Sequence, residues 1–180
     1  PGGSWTGAPK DAIIFGLKEL PEDGTPLIHR HIMFGHAYKG QPAGPILLQR
    51  FRAGVGALYD LEYLVDAQGR RVAAFGYWAG YAGAAVALMC WVAQQRGALC
   101  GPVDAYATAE NMRAALRAGL ADINAAPPTA VIIGALGRVG TGAADLCTAM
   151  GVPTTRWDME ETAHGGPFPE ILAHDIFFNC

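Results

Sequence analysis

The amino-acid sequence predicts an α/β fold in two parts, and three patterns lead to this prediction. Short apolar runs bounded by turn residues fill the N-terminal part of the chain, which is typical of strands. Longer patterns with helical spacing begin near Gly76. A buried apolar run, a glycine-rich turn and a helical pattern follow one another over 129–150, in the order of a parallel βα unit. The change of pattern predicts a domain boundary near Ala74.

The composition indicates a folded chain with a substantial core, since 51% of the 180 residues are hydrophobic and 16% are charged. A net charge of -3 without a basic stripe makes nucleic acid an unexpected partner. No CxxC pair and no secretory signal are found, so we expect reduced thiols and a cytoplasmic location. The most apolar run, 79–93, is shorter than a membrane span, which predicts a packed internal helix and no membrane partner.

The N-terminal part contains three predicted strands with short connections rich in proline and glycine, at 12–16, 31–35 and 57–63. The first strand leads into Lys18 and Glu19. This pair is either a solvated strand end or a proton-transfer group whose lysine pKa is lowered in a cleft. Alternation along the second strand puts His36 at its far end, where a histidine can transfer protons near neutral pH. No cysteine or carboxylate pattern completes a zinc site with the histidines, so no metal is expected.

The C-terminal part contains two predicted helices, 79–95 and 109–123, and then a buried strand at 129–133. The predicted turn after this strand contains Gly134, Gly137, Gly140 and Gly142, and a helix is predicted from Ala143 to Met150. Such a turn lets the backbone approach a pyrophosphate, and the helix N-terminus supplies N–H groups to hold it. No GK[ST] follows, which excludes a Walker loop, and the glycine spacing departs from GxGxxG.

A second short strand ends in Asp158, about 20 positions after Gly137, which is the spacing expected of the acid that binds the adenosine ribose. Such an acid repels a 2′-phosphate, so NAD is the expected cofactor. The alternative is that Asp158 only caps a turn. A third strand predicted at 175–179 continues the sheet. If this part binds NAD, the other part supplies substrate contacts and proton-transfer groups across a cleft.

Five stretches carry a resemblance to a known family. In order, they are SWTGAPKDAIIFGLKELPED, HIMFGHAYKGQ, LYDLEYLVDAQGRRVAAFGYWAGYAGAA, GALGRVGTGA and WDMEETAHGGPFPEI. Together they resemble the NAD-dependent, lysine-forming saccharopine dehydrogenases over nearly the whole chain. The wider group, which includes alanine dehydrogenase and the NAD-binding part of transhydrogenase, shares a two-domain layout and a Lys/His pair. The resemblance implies two Rossmann-like domains around a cleft, with 1–74 part of the substrate and catalytic domain and 75–180 part of the NAD-binding domain with a linking helix.

The resemblance also implies roles for individual residues. Lys18 corresponds to the family's acid/base lysine and substrate contact, and His36 corresponds to its proton donor. The other implied contacts are Gln41, Arg71 and Phe75 for the substrate, and Arg70, Gly137, Arg138, Asp158 and Thr162 for NAD. Glu19 and Glu62 either set the local charge or are ordinary exposed carboxylates next to basic residues, and the sequence leaves their role open.

The implied reaction oxidises the secondary amine of saccharopine to an imine, passes hydride to NAD, and hydrolyses the imine to L-lysine and 2-oxoglutarate. A lysine with a lowered pKa takes the amine proton, and His36 suits the protonation of the leaving amine. The alternatives are an alanine dehydrogenase-like or opine-type enzyme, and a non-catalytic NAD-binding module. The chain begins at Pro1 and ends in an apolar run, so we expect an excerpt of a longer enzyme of lysine metabolism.

Overall fold

The computed structural model describes residues 5–17 and 20–180, and the chain divides into two compact units, Pro1–Ala74 and Phe75–Cys180. Each unit contains one small sheet of three parallel strands together with helices. The α/β class predicted from the sequence is therefore confirmed for both units.

The sheet of the first unit has the order β1-β2-β3, with β2 in the centre. Its strands are β1 (Ile13–Phe15), β2 (Arg30–Met33) and β3 (Ala57–Asp60). Helix α1 (Ala43–Gly54) connects β2 to β3, because two parallel strands need a crossover connection. Short 3-10 helices lie at Trp5–Gly7 and Leu61–Tyr63.

Two features of this unit differ from the sequence-based prediction. Helix α1 was missed because its segment is rich in proline and glycine, but Pro42 and Pro45 fall at the helix start, where proline is tolerated. The strand predicted at 57–63 ends at Asp60. There the carboxylate oxygen Oδ1 accepts a hydrogen bond of 3.0 Å from the Glu62 backbone N–H and turns the chain into a 3-10 helix.

The core of the first unit contains two buried histidines, His29 and His31. The ring of His31 is 1% exposed, and the rings of Trp5 and Phe51 pack edge-on against it at centroid distances of 5.2 and 5.3 Å. Burial lowers the pKa of His31, and the nearby His29 and Arg50 charges lower it further. Both histidines are therefore core residues. Within 5–17 and 20–180, no three His, Cys, Asp or Glu side chains are grouped to hold a metal ion.

The sheet of the second unit has the order β5-β4-β6 and is also parallel. Its strands are β4 (Ala130–Ile133), β5 (Thr154–Trp157) and β6 (Ile176–Asn179). Its helices are α2 (Gly76–Gln95), α3 (Ala109–Ala121), α4 (Arg138–Ala149) and the short α5 (Met159–Thr162), and a 3-10 helix lies at Pro169–Ala173. These bounds lie close to the predicted ones except at α4, which begins five residues earlier than expected.

Helix α2 is long and apolar enough, by length and composition alone, to cross a membrane. A core helix meets the same criteria, and this one contributes Ala84, Ala85 and Leu88 to a hydrophobic core shared with α4. The residues of α4 in that core include Ala143 and Ala144, so small side chains let the two helices pack closely. This packing supports the prediction of an internal helix.

The buried His31 predicts that acid destabilises the first unit. A group whose pKa is lower in the folded than in the unfolded state stabilises the fold fully above its unfolded pKa, here about 6.5. That contribution is lost as the pH falls from this value toward the folded pKa. We expect His31→Phe, which fills similar space without titrating, to flatten the fall of Tm between about pH 7 and pH 5. The matched control is exposed His164→Phe, which should leave the slope unchanged. An unchanged slope in His31→Phe would contradict the assignment.

Candidate functional site

The first unit gathers three cationic or titratable side chains around the carboxylate of Glu62, whose side chain is only 7% exposed. The oxygen Oε2 forms ion pairs with Lys39 Nζ and with Arg71 Nη2, the latter at 3.2 Å. The other oxygen, Oε1, lies 3.6 Å from His36 Nδ1. The hydrogen bond from Lys39 is the main cause that holds the pKa of Glu62 below its usual value, and the charge of Arg71 adds to it. Glu62 is therefore ionised at neutral pH.

The residue that brings these groups together is Asp60, at the carboxyl end of β3. Its Oδ1 accepts hydrogen bonds from the backbone N–H groups of Gly35, at 3.1 Å, and Glu62, at 3.0 Å. The loop after β2 is thereby joined to the turn after β3. His36 follows Gly35 directly and adopts a left-handed backbone, with φ of 50°. Sequence reasoning missed this role of Asp60, although an aspartate that ends a strand is a typical capping residue.

The adjacent arginines bind different acids. Arg71 pairs with Glu62 and is held by an antiparallel bridge between its backbone and that of Val65. Arg70 turns to Asp66, which accepts hydrogen bonds of 2.9 Å from both its backbone N–H and its Nε. The Arg70 side chain is 77% exposed. The two arginine side chains, for which different contacts are predicted, thus pair with different acids.

The remaining predicted residues of this part are placed as follows. Lys18 and Glu19 lie outside the described residues. Gln41 is exposed in the loop before α1, where its carbonyl accepts a hydrogen bond of 3.0 Å from the Gly44 N–H. Phe75 begins the second unit at the N-cap of α2, with a half-exposed side chain. The interpretation of Glu62 as an ordinary exposed carboxylate is wrong, because it lies nearly buried among basic side chains.

The second unit contains the glycine turn between β4 and α4. Gly134 has a φ of +80°, and a Cβ there would lie 2.5 Å from the Cys180 carbonyl oxygen. A Cβ on Gly140 would lie 2.2 Å from the Gly134 carbonyl oxygen. Both positions therefore exclude a side chain, and this lets α4 begin directly against the end of β4. The prediction that Gly140 and Gly142 belong to the turn is wrong, because both lie inside α4.

Asp158 lies at the end of β5 and joins it to the glycine turn. Its Oδ2 accepts a hydrogen bond of 2.8 Å from the Leu136 N–H, and its Oδ1 accepts one of 2.9 Å from the Met159 N–H. It also forms a capping box with Glu161 at the start of α5. Asp158 therefore caps the turn, and its role in ribose binding stays a prediction. Capping does not exclude ribose binding, since a carboxylate can accept about four hydrogen bonds.

The predicted cofactor residues of this unit meet at the carboxyl ends of β4 and β5. Gly137 is the N-cap of α4, Arg138 is its first residue, and Thr162 Oγ1 donates a hydrogen bond of 2.7 Å to the Asp158 carbonyl oxygen. The N-cap residue Gly137 has no side chain to cap α4, and the N–H groups at the start of a helix suit an anion. The glycine cradle, this helix end and the neighbouring acid fit a dinucleotide.

Two cavities of about 590 and 270 Å³ lie elsewhere in the second unit. Both are formed by α2, α3 and the segment 98–106, and neither is lined by the glycine turn or by Asp158. They are therefore separate from the candidate cofactor site.

Comparison with known proteins finds no family model that matches the chain. Three curated relatives are fungal proteins with the same name, saccharopine dehydrogenase [NAD(+), L-lysine-forming]. The chain is 50% identical over 188 residues to that of Yarrowia lipolytica, covering 99% of the chain and 51% of the relative. It is 49% identical over 190 residues to those of Candida glabrata and Schizosaccharomyces pombe, covering the whole chain and 51% and 52% of the relatives.

The chain spans about half the length of these relatives. The identity extends through both units, which confirms the resemblance predicted from the five sequence stretches. The chain is therefore a homologue, over its whole length, of the NAD-dependent, L-lysine-forming saccharopine dehydrogenases.

Proposed function

We propose that the full-length protein is an NAD-dependent oxidoreductase that cleaves saccharopine oxidatively to L-lysine and 2-oxoglutarate, in a reversible reaction. The observation that carries this proposal is the identity of about half of the residues, over the whole chain, with enzymes of that name. The proposal includes two Rossmann-like domains around a cleft, with substrate contacts from 1–74 and NAD contacts from 75–180. The parallel sheet in each unit supports this arrangement.

The second unit supplies the proposed cofactor contacts. NAD, when bound, provides the acceptor for the hydride that leaves the carbon next to the substrate amine. Gly137 and the first N–H groups of α4 hold the pyrophosphate, with Arg138 beside them. Asp158 accepts hydrogen bonds from the adenosine ribose, and its negative charge disfavours a 2′-phosphate at the same place. Thr162 helps to fix Asp158 through its bond to the Asp158 carbonyl oxygen.

The first unit supplies the proposed proton-transfer groups. Glu62 Oε1 lies 3.6 Å from His36 Nδ1 and so faces one of the two ring nitrogens. This leaves Nε2 to exchange a proton with the substrate, so His36 can protonate the amine that leaves during imine hydrolysis. Lys18 takes the proton from the secondary amine before oxidation. Its role rests on the resemblance alone, because it lies outside the described residues.

The charge of the Glu62 cluster favours a substrate with several carboxylates. Lys39 and Arg71 bring two positive charges to the carboxylate of Glu62, and together they carry more N–H donors than that carboxylate can accept. The bond to Glu62 fixes the Arg71 guanidinium before any substrate arrives. Saccharopine, with more carboxylates than alanine, gains more from such a site. A module that only binds NAD has no use for the cluster.

The activity itself is tested by following NADH formation in the full-length protein. We expect kcat/KM for saccharopine to exceed that for alanine by at least about 10²-fold, because a site built for several carboxylates leaves charged groups unpaired with alanine. Comparable values would favour the alanine dehydrogenase-like alternative. Normal NAD binding without turnover of either substrate would favour the non-catalytic module.

The two arginines allow a crossed test of the substrate site. Arg71→Ala should raise the KM for saccharopine by roughly 10- to 100-fold, the loss expected for a charge-assisted hydrogen bond, with little change in the KM for NAD. Arg70→Ala should do the reverse and raise the KM for NAD. If both variants raised the same KM, the separation of Arg71 and Arg70 onto Glu62 and Asp66 would have no functional meaning.

The cofactor preference is tested at Asp158. Asp158→Asn keeps a side-chain oxygen to cap α5 but removes the charge, so we expect the ratio of NAD to NADP use to fall by roughly tenfold or more. The matched control is Glu161→Gln, which removes a charge from the same capping box and should leave the ratio unchanged. If NAD binding weakened with no gain for NADP, Asp158 would be a structural cap only.

A further inference from the structure

Two thiols meet in the second unit, outside both candidate sites. Cys90 lies in α2 and Cys100 in the segment after it, and the two thiols are close enough for Cys90 to raise the pKa of Cys100. Both are free and partly exposed. The other two cysteines are different, since Cys147 is fully buried in α4 and Cys180 is exposed after β6.

The end of α2 explains why these two thiols meet. Gly97 has a left-handed φ of +67° and donates a hydrogen bond of 2.9 Å to the Gln94 carbonyl oxygen. The Ala98 N–H donates one of 2.9 Å to the Ala93 carbonyl oxygen, which completes a Schellman motif. The chain thus turns back toward α2. Cys100 lies two residues beyond Ala98, and Cys90 lies one turn before Ala93 on the same helix face.

Small reagents can reach Cys100. Cys100 lines the cavity of about 590 Å³, together with Met89 and Ala93 on either side of Cys90. Cys147 lies in the core instead, where burial raises the pKa of its thiol to about 11. Access and proximity therefore distinguish Cys90 and Cys100 from the buried thiol.

We propose that Cys90 and Cys100 form a reversible intramolecular disulfide in response to small disulfides of the glutathione type. The thiolate of one cysteine attacks glutathione disulfide, forms a mixed disulfide and releases one glutathione. The second cysteine loses its proton, attacks the sulfur of the first and releases the other glutathione. Two protein thiols are oxidised and one glutathione disulfide is reduced to two glutathione molecules.

The bond would fix the segment 98–106 against α2. This segment lines both cavities of the second unit, so oxidation would hold that side of each cavity in place. Burial raises the pKa of the Cys100 thiol, and the nearby Cys90 thiol raises it further. Because the thiolate is the reactive form, the rate of oxidation should increase with pH.

The four cysteines fall in four different tryptic peptides, which makes the test direct. Cys90 lies in 72–96, Cys100 in 97–113, Cys147 in 139–156 and Cys180 in the peptide that begins at Trp157. After the folded full chain is incubated with glutathione disulfide and the remaining thiols are blocked, a non-reducing digest should contain 72–96 linked to 97–113. Its mass should be that of the two peptides less two hydrogens, and dithiothreitol should separate them.

Cys90→Ser and Cys100→Ser should each abolish the linked peptide, whereas the matched control Cys180→Ser should retain it. A titration with mixtures of reduced and oxidised glutathione should give an effective thiol concentration at least about tenfold higher in the folded chain than in urea. The proposal is overturned if Cys90 and Cys100 carry separate glutathiones, if either links to Cys180 instead, or if folding gives no increase in effective concentration.

Discussion

Each candidate site depends on one aspartate at the carboxyl end of a strand. Asp60 ends β3 and accepts the Gly35 N–H from the loop after the neighbouring strand β2. Asp158 follows β5 and accepts the Leu136 N–H from the turn after the neighbouring strand β4. Each carboxylate also accepts an N–H from the helical turn that follows it. Bonds of this kind, from backbone N–H to a charged acceptor, are stronger than neutral ones, and they hold two strand ends together in each unit.

The same placement of an aspartate at a strand end is accompanied by different charged groups in the two units. The turn that follows Asp60 presents Glu62, which gathers Lys39 and Arg71, so the first unit has two basic side chains paired with an acid at its strand ends. Asp158 is instead held by backbone donors, which leave its negative charge at the edge of the glycine turn. A cationic cluster suits carboxylates of a substrate, and an acid beside a helix N-terminus suits a ribose next to a pyrophosphate. The chemistry at the two strand ends therefore differs through the residue that each aspartate brings with it.

The sequence was most informative where the structural signal is local. The buried run of β4, the glycines after it and the acid about 20 positions on all follow from periodicity and spacing, and they were predicted near their observed places. The start of α4 was not predicted correctly. Gly140 has the pattern of a turn residue in the sequence, and only the structure shows its close approach to the Gly134 carbonyl. Helix α1 was missed for a related reason, because proline and glycine have different meanings at a helix start and in a loop.

The features that sequence reasoning missed depend on contacts between distant residues. Nothing in the local pattern around Glu62 shows that residues from the loop after β2 and from the bridge at Arg71 converge on it. A nearly buried carboxylate is costly unless it is paired, so its presence at 7% exposure requires the basic side chains around it. The requirement is mutual, because Lys39 and Arg71 would repel each other without the acid between them. Glu62 is thus the residue that allows several basic groups to occupy one end of a small sheet.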